Sequence, residues 1–143
     1  MAVGTYRLHA GDPIPADVAG RRMMVQSFQP TIAAGEWSVM MFGGKYSHAV
    51  LKTPAEGDFR VQPHLGGTDR FAVPPHGAVE LAGAALAAAP APALYARVDM
   101  IANAAGVLQI MELELIEPAL FLHHAPDQGV AFASAIRTAG ARK

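Results

Sequence analysis

Ala96-Arg97-Val98-Asp99-Met100, followed by Met111-Glu112-Leu113-Glu114-Leu115-Ile116-Glu117-Pro118, is the stretch that decides how this chain folds. Each piece is an apolar run interrupted by charge, and Gly106 supplies a turn between them. Side chains alternate along a strand, so Arg97 and Asp99 share one face, and Glu112 and Glu114 share another. Unpaired charge inside a strand core costs several kcal/mol. These four groups therefore call for partners. Three carboxylates meeting across a hairpin make an oxygen-rich site suited to a hard divalent cation, Mg2+ before Zn2+.

The 143 residues suffice for one domain with a core. At 52% hydrophobic and 16% charged, the composition is not that of a disordered chain, although much of the apolar content is alanine. A net charge of -1 with no Lys/Arg run argues against nucleic acid or a membrane surface as the main partner. There are no cysteines, hence no disulfide framework and no thiolate chemistry, which fits a cytoplasmic enzyme. No apolar run is long enough for a membrane-spanning helix, and the N-terminus lacks a basic-then-apolar signal pattern.

Pro13 to Ala19 can hold a short helix, and Arg22 to Phe28 (RMMVQSF) reads as a buried strand. Pro30 to Gly35 reads as a loop. Glu36 to Phe42 and Lys45 to Lys52 read as a hairpin joined by Gly43-Gly44. Thr53 to Thr68 has little apolar periodicity and reads as a long loop of functional or mobile character. Pro75 to Ala89 is predicted helical, with Pro90 ending it. Leu94 to Ala102 and Val107 to Leu115 are strands, Ala119 to His124 a helical turn or two, and Gln128 to Ala139 a C-terminal helix. This order predicts an α+β fold: a mostly antiparallel sheet with flanking helices.

At this point the motifs VQSF (25–28), GEWSVMMFGGKYSHAVLK (35–52), GDFRVQ (57–62), GGT (66–68), YARVDM (95–100) and ELELIEP (112–118) can be taken together. With them the chain resembles the C-terminal part of the ATP-grasp fold, in the glutathione-synthetase-like branch of ATP-dependent carboxylate–amine ligases. The resemblance implies that Asp99 and Glu112 hold Mg2+ (or Mn2+) bridging the phosphates of ATP. Glu114 stands where such enzymes usually place a third ligand, an asparagine. Arg97 would face phosphate. Gln26, Ser27, Phe28 and Gln29 match the segment that holds adenine, and Glu36 is the candidate for the ribose hydroxyls. Arg60 and Gly66-Gly67 match the segment where the acyl phosphate sits, and a guanidinium suits developing phosphoryl charge. The implied substrates are a small-molecule carboxylate and an amine, joined after phosphoryl transfer from ATP.

The same resemblance implies that residues 1–143 are a single partial domain. The family's upstream part carries two phosphate-gripping lysines, and no lysine precedes Lys45 here. Weak nucleotide binding and little turnover by the chain alone are expected, as is a homo-oligomer that covers the apolar surface of a divided fold. A second reading is a non-catalytic module, or one that another chain completes. A metal-dependent hydrolase would need histidine ligands at suitable spacing. His123-His124 reads as a surface pair, because adjacent side chains diverge. His48 shares a face with Tyr46 and Lys52 by alternation and reads as a structural histidine. Met23-Met24 and Met40-Met41 read as core filler, Trp37 as packing, and Glu117 as a cap on the helical turn that follows.

Overall fold

A computed structural model describes residues 5–141, divided into two compact units, Met1–Pro30 and Thr31–Lys143. The first contains turns and no regular helix or strand among its described residues. The Tyr6 hydroxyl donates to Asp17, and the Arg7 guanidinium lies 3.9 Å from the Phe28 ring centroid. Two expectations fail here. Pro13 to Ala19 forms turns instead of a helix. Arg22 to Phe28 is not a buried strand: the segment has no regular structure, and Met24 and Val25 are 85% and 91% exposed. Apolar composition favours a strand only where a ladder partner and a surface to pack on exist.

The second unit is a five-stranded antiparallel sheet in the order β3-β2-β1-β4-β5. Its strands are β1 (Glu36–Phe42), β2 (Lys45–Thr53), β3 (Thr68–Phe71), β4 (Tyr95–Ala102) and β5 (Leu108–Glu114), with helices α1 (Ala78–Ala87) and α2 (Val130–Gly140). Both predicted hairpins, the two longer predicted helices and the α+β class are observed, and the turn expected over Ala119 to His124 is a 3-10 turn at Leu122–His124. Strand β3 was not foreseen. Its sequence, TDRF, has no apolar alternation, and it is held by its ladder to β2. The expected loops are also partly regular, with single 3-10 turns at Pro30–Ala34 and Pro63–Leu65.

The middle strands explain their own sequences. β1 is covered on both faces and reads as the near-continuous apolar run EWSVMMF. Val39 and Met41 join Ala49, Ala96, Val98 and Met100 beneath α1, where the buried Ala78 and Ala82 let the helix sit close. Trp37 packs against this cluster, as expected. Met40, Phe42 and Val50 face the other way and pack against Leu120, Phe121, Leu122, Phe132 and Ala135. Met40 and Met41 are thus both core residues, one on each face, whereas Met23 and Met24 are exposed.

Gly35 introduces β1 with φ +112°, and a Cβ there would lie 2.7 Å from Leu51 Cδ1 and 3.0 Å from the Lys52 carbonyl oxygen. Gly35→Ala is therefore expected to lower stability by about 1–3 kcal/mol, read by urea denaturation. An unchanged midpoint would show that the β1 entry relaxes freely.

Each hairpin carries one irregularity. In β1–β2 the register shifts between Met40 and Met41, whose partners are His48 and Tyr46; Ser47 is left over. In β4–β5 it shifts between Asp99 and Met100, whose partners are Glu112 and Ile110; Met111 is left over. Bulges of this kind re-aim side chains and recur beside functional sites. The first bulge also separates Tyr46 from the face shared by His48 and Lys52, which corrects the simple alternation.

Candidate functional site: a carboxylate cluster bridged by two cations

Directly opposed residues in an antiparallel pair point to the same face. The register pairs Glu36 with Lys52, Ser38 with Asp99, Asp99 with Glu112, and Arg97 with Glu114. One face of β2, β1, β4 and β5 thus gathers four carboxylates, two cations and a hydroxyl. It is the face that carries Met40 and Phe42, one or two residue pairs along the strands.

Asp99 is the hub, and it is almost wholly buried. It accepts from the Ser38 hydroxyl at 2.5 Å, Lys52 Nζ at 2.9 Å, and Arg97 Nε and Nη2, each at 3.0 Å. Burial by itself would raise its pKa. The Lys52 and Arg97 charges and the Arg97 and Ser38 hydrogen bonds outweigh that, holding the carboxyl below the usual range. Lys52 also reaches Glu36 at 2.8 Å, and Arg97 reaches Glu114. Burial pushes Glu36 up, with the Asp99 charge adding to the rise against the pull of Lys52.

Glu112 is exposed at the rim and, among the described residues, forms no ion pair of its own. Its pKa is raised by partial burial, then by the like charges of Glu114 and Asp99. Ligand oxygens of Asp99, Glu112 and Glu114 lie within 4.8 Å of one another. Four carboxylates against two cations leave this face electron-rich, and crowded like charge favours a bound cation. The donor set is all oxygen, which fits Mg2+ or Mn2+ better than a softer metal.

The structure brings Arg97, Asp99, Glu112, Glu114 and Glu36 together, but not Arg60. That guanidinium stays on its own loop, held by Asp58 at 3.0 Å (Nε) and 2.8 Å (Nη2). The Asp58 carboxyl is correspondingly held well below its ordinary range, chiefly by the Arg60 hydrogen bond. The Gly66 and Gly67 amides are also committed locally, to Pro63 and Gln62 carbonyls at 2.9 and 3.3 Å. Gly67 is needed for close approach, since a Cβ there would meet the Val61 carbonyl oxygen at 2.4 Å. Gln26, Ser27, Phe28 and Gln29 belong to the first unit, the first three exposed and Gln29 partly buried. The strand expected to lead into them is absent. Glu117 has a left-handed backbone (φ 58°), and the 3-10 turn Leu122–His124 begins too far on for it to cap.

Two members of the site escaped sequence reading. Ser38 looks like a lone polar residue in an apolar strand, and Lys52 like the solvated end of a hairpin. The signal for both was available only through register.

His48, fully buried on the same face, is structural, as expected. Its Nε2–H donates to the Leu120 and Phe121 carbonyls at 3.1 and 3.2 Å, and Nδ1 accepts from the Ser47 hydroxyl at 3.0 Å. Burial lowers its pKa from 6.5. The two carbonyls and the Asp127 charge oppose that shift, and the His124 charge adds to it. A depressed folded pKa means that this stability is full above the unfolded value and is lost as pH falls through the folded one. Unfolding free energy is therefore expected to decline below about pH 6.5, and His48→Gln should flatten that decline in urea titrations at pH 5.5 and 8. Identical pH slopes in both proteins would exclude His48 as the origin.

No model of a known protein family matches the sequence. The crystal structure of the D-cycloserine synthetase DcsG aligns with a TM-score of 0.66 at 27% identity, over 80% of this chain and 41% of that one. A D-alanine–D-alanine ligase from Bacillus anthracis, solved with ATP, aligns with a TM-score of 0.52 at 19% identity over 72% of this chain. The ATP-grasp ligase PsnB, solved with a precursor variant, Mg and ADP, aligns at 0.51 and 18% over the same share. These neighbours are ATP-grasp ligases, and the chain has the fold of one portion of them, consistent with the C-terminal part. In sequence it is similar to the cycloserine biosynthesis protein DcsG of Streptomyces lavendulae, 31% identical over 94% of this chain and 49% of that protein. It thus spans about half the length of that relative. Among the described residues no helix is long and apolar enough to cross a membrane.

Proposed function

We propose that this chain is the metal- and phosphate-facing portion of an ATP-dependent carboxylate–amine ligase of the ATP-grasp type. The observation that carries this reading is the convergence of Asp99, Glu112 and Glu114 within 4.8 Å, beside Arg97 and Lys52 on one face. When bound there, Mg2+ would neutralise phosphate charge and orient the polyphosphate. Glu112 and Glu114 would hold it from the rim and Asp99 from beneath. Ser38 fixes the Asp99 rotamer by its hydrogen bond. Arg97 and Lys52 are held ready by carboxylates and can turn to phosphate oxygens, where Arg97 offers a planar fork and Lys52 a point charge. Glu36, released from Lys52 in that exchange, would be free to accept from ribose hydroxyls. The reaction class is phosphoryl transfer to a carboxylate, giving an acyl phosphate that an amine then attacks.

Support for the ligase reading comes from the neighbours. DcsG is named a D-cycloserine synthetase and the Bacillus anthracis protein joins D-alanine units, so small amino-acid-like substrates are the class to try. The test is calorimetric titration of Mg-ATP into the chain. Saturable binding that requires Mg2+ supports the proposal. Absence of binding at millimolar Mg-ATP would leave a module that another chain must complete.

A further inference from the structure

A second set of metal-ligating groups lies outside that cluster. Asp69 on β3 is the cross-strand partner of Lys52. His124 Nε2 stands 2.8 Å from Asp69 Oδ1, and His123 Nε2 stands 3.5 Å from the same oxygen. The two imidazole centroids are 4.2 Å apart, and one ligand atom from each residue falls within 4.8 Å of the others. This overturns the expectation that adjacent histidines diverge. Both side chains are long enough to lean over β3, and they converge on one carboxylate oxygen. We propose that Asp69, His123 and His124 form a second divalent metal site, of the Zn2+ class.

The donor chemistry separates this site from the first. Two imidazole nitrogens and one carboxylate suit Zn2+, Co2+ or Fe2+, whereas Mg2+ prefers an all-oxygen set. Donors on one tetrahedral Zn2+ lie roughly 3.3 Å apart. The observed 2.8 and 3.5 Å bracket that value, so only small side-chain shifts are needed. Three protein ligands leave a fourth position. His123 is 67% exposed, so that position opens to solvent and to a water or an anionic oxygen.

The backbone under the histidines is pre-set. Their 3-10 turn, Leu122–His124, starts from Phe121 in a left-handed conformation at φ 47°. Such a conformation persists only where the surroundings over-determine it. They do so here: His48 Nε2 binds the Leu120 and Phe121 carbonyls from beneath, and Phe121 and Leu122 pack on Met40, Phe42 and Val50. The paired imidazoles are thus mounted on a rigid segment and not on a free tip.

The test is titration of the chain with Co2+ in excess Mg2+, which keeps the all-oxygen cluster occupied by the harder ion. Saturation at one Co2+ per chain is expected, with a tetrahedral-type visible spectrum. Binding should weaken at least about tenfold in His123→Asn, a surface change that the fold tolerates, and further in His124→Asn. The Glu112→Gln/Glu114→Gln variant should bind Co2+ as the wild type does. Zn2+ titration followed by histidine-ring 15N NMR gives a second readout, in which His123 and His124 move and His48 does not. Absence of saturation, retained affinity in the His123→Asn/His124→Asn double variant, or loss in the glutamate variant instead would each overturn the proposal.

Discussion

Asp99→Ala is expected to destabilise the protein by about 3–5 kcal/mol, the range found when one partner of a buried charge network is removed. The reason lies in the number of groups that Asp99 serves. Lys52, Arg97 and Ser38 all donate to it, and all three are buried with it. Glu36 and Glu114 still offer partners to Lys52 and Arg97. They stand at the ends of the network, though, and cannot fill the space at its centre. The Lys52→Met/Asp99→Leu double variant should recover part of the loss, because apolar groups of similar volume need no partner in a buried site. Chemical denaturation of the single and double variants decides the matter. A loss under about 1 kcal/mol in Asp99→Ala would mean that water reaches the cluster and screens it as it screens a surface pair.

Glu112→Gln/Glu114→Gln should do the opposite: abolish Mg-ATP binding at a cost to the metal-free fold of no more than about 1 kcal/mol, since Glu114→Gln gives up only the partly exposed ion pair to Arg97, which keeps Asp99. Glu112 is raised in pKa by burial and then by the like charges of Glu114 and Asp99, against the pull of Arg97, and among the described residues it forms no salt bridge. Removing its charge relieves repulsion, so no stability is lost with it. Charging this group works against the fold: its contribution is most favourable at low pH and diminishes as pH rises through the raised folded pKa. Affinity for Mg-ATP, in contrast, needs both oxygens, and a loss of at least about 100-fold, or about 2.7 kcal/mol, is expected by calorimetry. Thermal unfolding with and without Mg-ATP adds a check, since only the wild type should be stabilised by ligand. Ligand-dependent stabilisation that survived in the double variant would place the metal elsewhere.

Much of this fold was written locally. The apolar run EWSVMMF, the Gly43-Gly44 turn and the returning KYSHAVLK specify a hairpin by composition and spacing, and the alanine-rich helix ends where Pro90 follows. Arg22 to Phe28 misled because apolar composition alone carries no ladder, and TDRF was missed because its place depends on β2. The candidate metal carboxylates were legible as residue types, and so was the pairing of Arg97 with Asp99 on one face.

Their convergence was not. With unbroken registers on the two hairpins, Glu36 would oppose Leu51 and Asp99 would oppose Met111. A one-residue slip turns a whole strand over, so Lys52, Glu112 and Glu114 would then point away from Asp99. The leftover Ser47 and Met111 correct this, each pulling its strand one residue out of step at the site. The same applies to Asp69 and the histidine pair, which lie 54 residues apart in sequence (123 minus 69) and meet only because β3 joins the sheet edge. The amino-acid sequence by itself determined the four strands of the two hairpins and the two long helices, and which charged groups those four strands would carry. Tertiary structure decided which of those charges face one another, because face and register are properties of paired strands and a bulge reverses them without changing a single residue type.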